Sequence, residues 1–560
     1  MGQPRGNVEF QSSLGNWYPT DEVTYTSLGP AIEDLDQAYA LIADRSGSIS
    51  AVRGGRVELE TTATSDSTSG ADSGSASALV GWLSPTPHSS LGSPGFQHDH
   101  ATSCNYVAGS MANGIASVEL VGELARIGIL SFYGAAGQAP ATILSSLHQL
   151  KKQLPGRPWG CNLIHSPSEP SVEEETSRML VKEQVPCVEA SAFLDITEPL
   201  VRMRLQTLQR APSGEITSSL RVMAKASRLE VARKFLSPAP QAMVSSLLER
   251  REITPDQAQW ARSMPICDDI TAEADSGGHT DNRPMATLVP AFTRLRDEIA
   301  LQVPATGRVR IGAAGGLGTP DAICAALALG ADYFVIGSVH QACVESGSSD
   351  VVRSMLAAAG PADVIMAPAS DMFEMGVHLQ VLRSGTLFGP RAKKLLELYR
   401  NYNSLDQIPA AECSRLEKDL FRMPIDQVWE QTRTFFLQRE PAQVERANKD
   451  PHHQMALVFR WYLGLSSEWA NNGALERKLD YQIWCGPAMG AFNEWTRGSW
   501  LEAPAARRVA DVARALLQGA AISARHTHLL HQGVVFPPGF IDRSPVPVGE
   551  SQVNSMKTPS

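Results

Sequence analysis

Two glycine-bearing stretches hold the residues best suited to chemistry. The first, residues 271–284, reads TAEADSGGHTDNRP, with Gly277 and Gly278 directly before His279. Adjacent glycines let a backbone lie against a flat ligand with no Cβ in the way, and an imidazole beside that approach can act as acid, base or orienting donor. A histidine that caps a turn is the competing structural role. Asp281 and Arg283 follow within the same loop. Substrate contact and a loop-fixing Arg–Asp pair account for these two about equally well.

The second stretch is RIGAAGGLGTPDAICAALALGADYFVIGS. One apolar run ends in Ala314-Gly315-Gly316, Thr319-Pro320 opens a helix, and the next run ends in Gly337-Ser338. Backbone N–H groups at such ends can reach phosphate oxygens, and a helix N-terminus favours the anion. Tight strand-to-helix turns are the bland alternative for these glycines. No Lys-Ser/Thr follows, so the stretch is not a Walker A loop, and it lacks the first-strand G-x-G-x-x-G of dinucleotide folds. A mononucleotide such as FMN suits it better.

The elements that must position these residues repeat regularly. From Cys104 to Glu345, eight short apolar runs each lead into a helical pattern. Buried strands alternating with helices predict a parallel sheet with crossover helices, and eight units in about 250 residues is the size of a (β/α)8 TIM barrel. The class is therefore α/β, with an open doubly wound sheet as the competing architecture. The glycine stretches fall at the ends of predicted strands six, seven and eight, on the carboxyl-end face where such barrels carry their sites. Other strand ends on that face supply Gly109, Ser110 and Met111, Asn162, the stretch Glu189-Ala190-Ser191, and Lys225. The Asn162 amide can hydrogen-bond a flavin-like edge. Lys225 ends the apolar VMAKA and needs an anion, an electronegative ring atom, or an ion pair with Glu189.

Flanking regions read differently. Residues 1–60 form a small N-terminal segment in which GPAIEDLDQAYALIA reads as one amphipathic helix. Residues 61–78, rich in Ser, Thr and Gly, are expected to be a flexible linker. After Glu345 the strand signal disappears, and residues 346–532 read as a helical extension or cap. Residues 533–560 are expected to fray.

Composition narrows the partners. The 560 residues carry a net charge of −10, and no Lys/Arg block suggests nucleic acid. The eight cysteines form no C-x-x-C pair, and no His/Cys/Asp/Glu spacing justifies a metal. The N-terminus lacks a signal-peptide core, the opening Met-Gly lacks a myristoylation context, and no apolar run reaches membrane-spanning length. A cytoplasmic location is the expectation. There is no G-x-S-x-G elbow of an α/β-hydrolase.

Several of these segments carry a resemblance. YVAGSMANGIASVEL, NLIHSPSEP, VEASAFLDIT, AEADSGGHTDNRP, GAAGGLGTP, GSVHQACVESGSSD and DMFEMGVHLQVL resemble the PfaD-type trans-acting enoyl reductases of polyunsaturated fatty acid and polyketide synthases. HQMALVFRWYLGLSSEWAN and DYQIWCGPAMGAFNEW continue the likeness into the extension. The wider group is the nitronate monooxygenases, FMN barrels with a Gly-Gly-His motif. The long extension and the run Thr280 to Arg283 depart from that wider pattern and favour the PfaD type. The resemblance implies an FMN-dependent enoyl reductase acting on chains held by an acyl carrier protein, with NADPH or NADH as reductant. It matches His279 to the histidine beside the flavin and Gly315-Gly316 with Gly337-Ser338 to the phosphate loops; with the strand-end reading, the candidate cofactor contacts are Gly109, Ser110, Met111, Asn162, Lys225, Gly277, Gly278, Ala314, Gly315, Gly316, Gly337 and Ser338. Hydride would reach the β-carbon of the enoyl thioester and a proton its α-carbon. A nitronate monooxygenase-type oxidase and a non-catalytic carrier-docking scaffold are the rival readings. Chain length of the substrate, nicotinamide preference and oligomeric state, homo-oligomers included, stay open.

Overall fold

The computed structural model describes residues 8–59, 76–545 and 547. Eight parallel strands close into a barrel: β1 (Tyr106–Ala108), β2 (Leu130–Tyr133), β3 (Gly160–Ile164), β4 (Cys187–Ser191), β5 (Arg221–Ala226), β6 (Asp269–Glu273), β7 (Arg310–Ala314) and β8 (Tyr333–Ile336). Each pairs with its neighbour in sequence, and β8 returns to β1 through Phe334↔Tyr106 and Ile336↔Ala108. All eight match the predicted apolar runs, and every residue of β2 and β8 is buried. Burial on both faces is why these strands read as continuous apolar runs rather than alternating ones. The intervening helices start on side-chain caps where the sequence supplies them. Ser117 accepts the Leu120 N–H before Val118–Arg126, and Thr319 accepts the Ala322 N–H before Pro320–Ala328.

The N-terminal end of the barrel is plugged. Helix Pro94–His100 inserts Phe96, which stacks on Tyr333 at 4.7 Å. Asp269, fully buried at the start of β6, meets His100 Nε2 at 2.7 Å and Arg310 Nε at 2.5 Å. Burial disfavours the Asp269 charge, but the facing His100 and Arg310 outweigh it and hold the carboxyl far below its usual range. This cluster belongs to stability, which leaves the carboxyl end for chemistry.

The region after Glu345 is not purely helical. Val364–Pro368 and His378–Leu382 pair antiparallel, and Gly278–His279 joins the outer side of the second of these strands, with His279 opposite Leu379. Their pairing partners lie about 100 residues apart, so the sequence carried no local hairpin signal for the outer pair. The helices Phe388–Asn401, Ile425–Arg439 and Pro451–Asn472 pack around Phe388, Leu395, Met455, Phe459 and Tyr462. Asp480, fully buried, gathers Arg391, Arg422, Arg477 and the Tyr462 hydroxyl.

The described residues divide into two compact units, residues 92–513, and residues 8–59 and 76–91 with 514–545 and 547. The smaller unit therefore exceeds the expected 1–60 segment and takes most of the last helix, Val509–His531, from the expected extension. Its six-stranded antiparallel sheet runs Thr24–Thr26, Ile49–Arg53, Tyr39–Ala43, Ser77–Leu83, Gly15–Tyr18, Arg56–Leu59. The single helix expected over GPAIEDLDQAYALIA is instead helix Leu28–Glu33 followed by strand Tyr39–Ala43, whose five residues are all buried. A five-residue apolar run has no period to separate strand from helix, and sheet pairing decides it. Leu529 and Ile522 pack on Leu28, Ile32 and Leu41. Residues 61–75 of the expected linker lie outside the described residues, while Ser77 and Ala78 open a strand. Of the expected fraying tail, Val534–Val535 pairs with Glu9–Phe10, whereas 546 and 548–560 lie outside the described residues. No described helix is long and apolar enough to cross a membrane.

Candidate active site

A cleft opens at the carboxyl ends of β1 and β5 to β8. Gly109, Ser110 and Met111 line it from β1, Lys225 from β5, and Glu273 and Gly277 from β6. Ala314, Gly315 and Gly316 line it from β7, and Gly337 with Ser338 from β8. Ten of the predicted cofactor-contact residues thus converge on one cleft.

The glycines there differ in what they are for. A Cβ on Gly315 would stand 2.7 Å from the Ala274 carbonyl carbon, and its φ is +91°, so packing and turn geometry both require glycine. Gly316 has φ +74° but nothing within 4 Å of a Cβ. Gly337 has φ −123°, and a Cβ there would meet nothing within 4 Å. Neither backbone strain nor a neighbour in the fold explains the bare Gly337, whereas an occupant of the cleft would. Gly277 is bare for a different reason from the one expected. Its Cβ would stand 2.8 Å from Ser338 Oγ and 3.0 Å from the Cys485 backbone, so protein rather than a ligand ring crowds it.

One largely buried cation lines the cleft. Lys225 Nζ lies 2.8 Å from Glu273 Oε1 on β6, so its ion-pair partner is Glu273 rather than Glu189. Burial would lower its pKa, but the charges of Glu273 and Glu189 prevail and keep the ammonium protonated. Glu189 is fully buried and accepts from the backbone N–H of Ser110 at 3.0 Å and from the Ser110 hydroxyl. Burial raises its pKa despite Lys225 and Ser110, and its Oε1 has no hydrogen-bond partner. An orphaned buried oxygen next to Lys225 marks a polar environment that the fold leaves incomplete.

The loop leaving β6 separates residues that the sequence placed together. His279 lies beyond the cleft-lining Gly277, and its Nε2 meets Asp371 Oδ1 at 3.2 Å, with about a quarter of the side chain exposed. Burial alone would lower the imidazole pKa. The Asp371 carboxylate, and Glu273 beyond it, outweigh burial and Lys225 and raise it. Asp281 and Arg283 do not line the cleft. Asp281 takes a two-pronged pair from Arg228 (2.7 and 2.8 Å) and the Ser227 hydroxyl at 2.6 Å, tying this loop to the end of β5. The Arg228 hydrogen bonds hold its carboxyl down at about 2. Arg283 is exposed. Asn282, at φ +52°, donates from Nδ2 to Asp275 Oδ1 at 3.0 Å, so the Asp-Asn pair shapes the loop. Asn162 also stands apart. Its Oδ1 accepts the Ala136 N–H at 3.1 Å, and it lines a second, smaller cleft at the ends of β2 and β3.

Sequence reasoning missed the contributions of the extension. Trp484, Gly486 and Ala488 form one wall of the main cleft, and Gly486 N donates to Ser338 Oγ at 3.1 Å. This strap is anchored by hydrogen bonds from Leu382 N to Ile483 O (2.8 Å) and from Cys485 N to Gln380 O (3.3 Å). Asp371 and Gln341 were missed as well. The one available signal was the block DYQIWCGPAMGAFNEW, whose glycines and proline interrupt a helical region.

A parallel eight-stranded barrel with a glycine-lined, cation-bearing cleft at its carboxyl end belongs to the (β/α)8 barrels that carry their sites on that face. The nitronate monooxygenase profile matches residues 98–386, and the chain belongs to that family. Among solved structures it is similar to the enoyl reductase domain of MlnA, from the macrolactin biosynthesis cluster of Bacillus amyloliquefaciens. The two are 35% identical with a TM-score of 0.73, covering 79% of this chain and 99% of that one. It is 42% identical to a polyunsaturated fatty acid synthase polypeptide of Thraustochytrium sp., over 75% of this chain and 28% of the relative. It is also 42% identical to polyketide biosynthesis protein PksE of Bacillus subtilis, over 79% of this chain and 57% of the relative. The chain thus spans about a quarter to little over half the length of these curated relatives. Residues 402–481 match the inserted helical domain of [acyl-carrier-protein] S-malonyltransferase.

Proposed function

We propose that this protein is an FMN-dependent enoyl reductase that reduces the α,β double bond of enoyl thioesters carried by an acyl carrier protein, with NADPH or NADH as reductant. The observation that carries the reading is the cleft itself: two glycine-bearing strand ends, one of them bare for no reason internal to the fold, lining one cleft with a largely buried lysine. Similarity to an enoyl reductase domain along its whole length supports the reaction. The helical insert and the synthase relatives support a carrier protein as partner; this chain would meet it in trans.

These residues fit FMN. Backbone N–H groups at Gly315-Gly316 and Gly337-Ser338 would hold its phosphate, while Lys225 would face an electron-rich edge of the ring. When bound, FMN supplies two-electron chemistry that relays hydride from NAD(P)H to the enoyl β-carbon. The protein's part is orientation and charge. His279, two residues beyond the cleft-lining Gly277 and held at Nε2 by Asp371, would donate to the thioester oxygen as enolate character develops. The same proton is available for the α-carbon.

The test is a pair of anaerobic half-reactions on flavin-loaded protein. NADPH should bleach the flavin absorbance and crotonyl thioester should restore it. A nitronate oxidase would instead recolour only with oxygen and consume oxygen with an alkyl nitronate.

A further inference from the structure

The cleft contains one polar group that neither the fold nor the expected phosphate loops employ. Gln341 lines it and is 3% exposed. Its backbone carbonyl accepts the Ser346 hydroxyl at 2.8 Å. Its side-chain amide takes part in no hydrogen bond among the described residues. Neither amide atom is among the fully enclosed, unpartnered ones, so the amide opens onto the cleft, where a ligand group can complete it. Gln341 sits three residues past Ser338, at the β8 end where the glycines Gly316 and Gly337 stand open.

The strap forms the opposite wall of this end. Helix Pro487–Thr496 begins at Gly486, which is clasped to Ser338, and Ala488 lines the cleft. A Cβ on Gly318 would stand 2.0 Å from Ala488 O, and one on Gly486 would stand 2.7 Å from Gly277 N. The strap therefore lies backbone to backbone against both glycine loops. Its helix start adds a region of positive potential beside the Gln341 amide.

We propose that Gln341 and the strap residues 486–488 form a third wall of the cofactor's phosphate end, with the Gln341 amide N–H donating to a phosphate oxygen. The inference rests on the flavin reading above and adds to the two barrel loops a determinant supplied by the extension. An anionic phosphate accepts from the amide, while the helix start favours its charge; an uncharged hydroxyl in the same place gains little from either.

Binding of FMN and of riboflavin, which lacks the phosphate, to the full apo chain separates the possibilities by flavin fluorescence quenching. Gln341→Leu should weaken FMN about 10–100-fold, the usual range for a hydrogen bond to a charged group, and leave riboflavin within about 2-fold. The melting temperature of the apo variant should not fall, because the substitution removes an unpartnered amide. Ala488→Glu should weaken FMN by more than Ala488→Gln does, with riboflavin affected equally by the two. Equal losses of FMN and riboflavin in Gln341→Leu, unchanged FMN affinity, or matching effects of Ala488→Glu and Ala488→Gln on FMN would overturn the inference. A parent chain that binds neither flavin would overturn the flavin reading itself.

Discussion

At the scale of residues, His279 is the group whose behaviour divides a catalytic from a structural account. If it donates to the developing enolate, His279→Ala should keep FMN but lose about 10²–10³-fold in turnover, the usual cost of one preorganised donor. The loss should fall on reoxidation by enoyl thioester, with reduction by NADPH normal; stopped-flow absorbance resolves the two. Its partner Asp371 adds a pH signature. The folded pKa of His279 is raised above 6.5 because the facing carboxylate outweighs burial. The pair's stabilisation is then fully present below about pH 6.5 and fades as pH rises through the raised folded value. Asp371→Asn should therefore melt below the parent at pH 5.5, and the gap should close by pH 9. A gap that stays constant across that range would show that the imidazolium is not what Asp371 stabilises.

Residue identity made part of the site legible and concealed the rest. Gly315-Gly316, Gly337-Ser338 and Lys225 announced themselves because glycines at strand ends and a lysine in an apolar strand are costly without a purpose. Asn162 looked similar from its strand position, yet its carbonyl is committed to the Ala136 N–H. Asp281 could not be assigned from the sequence because its partner, Arg228, lies 53 residues away.

At the scale of elements, the barrel was legible because strands buried on both faces read as uninterrupted apolar runs followed by helices. The sheet added by Val364–Pro368 and His378–Leu382 was not, since its register depends on pairing with Gly278–His279 rather than on any local turn. Two predictions belong here. Gly337→Val should give a folded but colourless protein, because no neighbour lies within 4 Å of a Cβ there; full flavin occupancy would place the phosphate elsewhere. At the other end of the barrel, Arg310→Met leaves the fully buried Asp269 without its guanidinium partner. Breaking such a pair typically costs about 3–5 kcal/mol, readable as a lower midpoint in urea. An unchanged midpoint would mean that His100 alone satisfies Asp269.

At the scale of the whole molecule, the extension is part of the site and not an appendage to it. It supplies Asp371 to His279, a strand to the Gly-Gly-His loop, and the strap that walls the cleft. A chain ending at residue 345 should therefore fail to accumulate as soluble flavin-binding protein, since Gly277, Gly318 and the outer strand would lose what they pack against. Yellow, soluble truncated protein would make the extension a docking module alone.

The central claim concerns the bond that is reduced and the carrier that presents it. Intact-mass spectrometry of an acyl carrier protein loaded with a 2-butenoyl group tests it most directly. With the FMN-loaded full chain and NADPH in the absence of oxygen, the acyl group should gain two hydrogens while one NADPH is oxidised per carrier. An unchanged carrier mass, with the same protein consuming oxygen on an alkyl nitronate, would contradict the account.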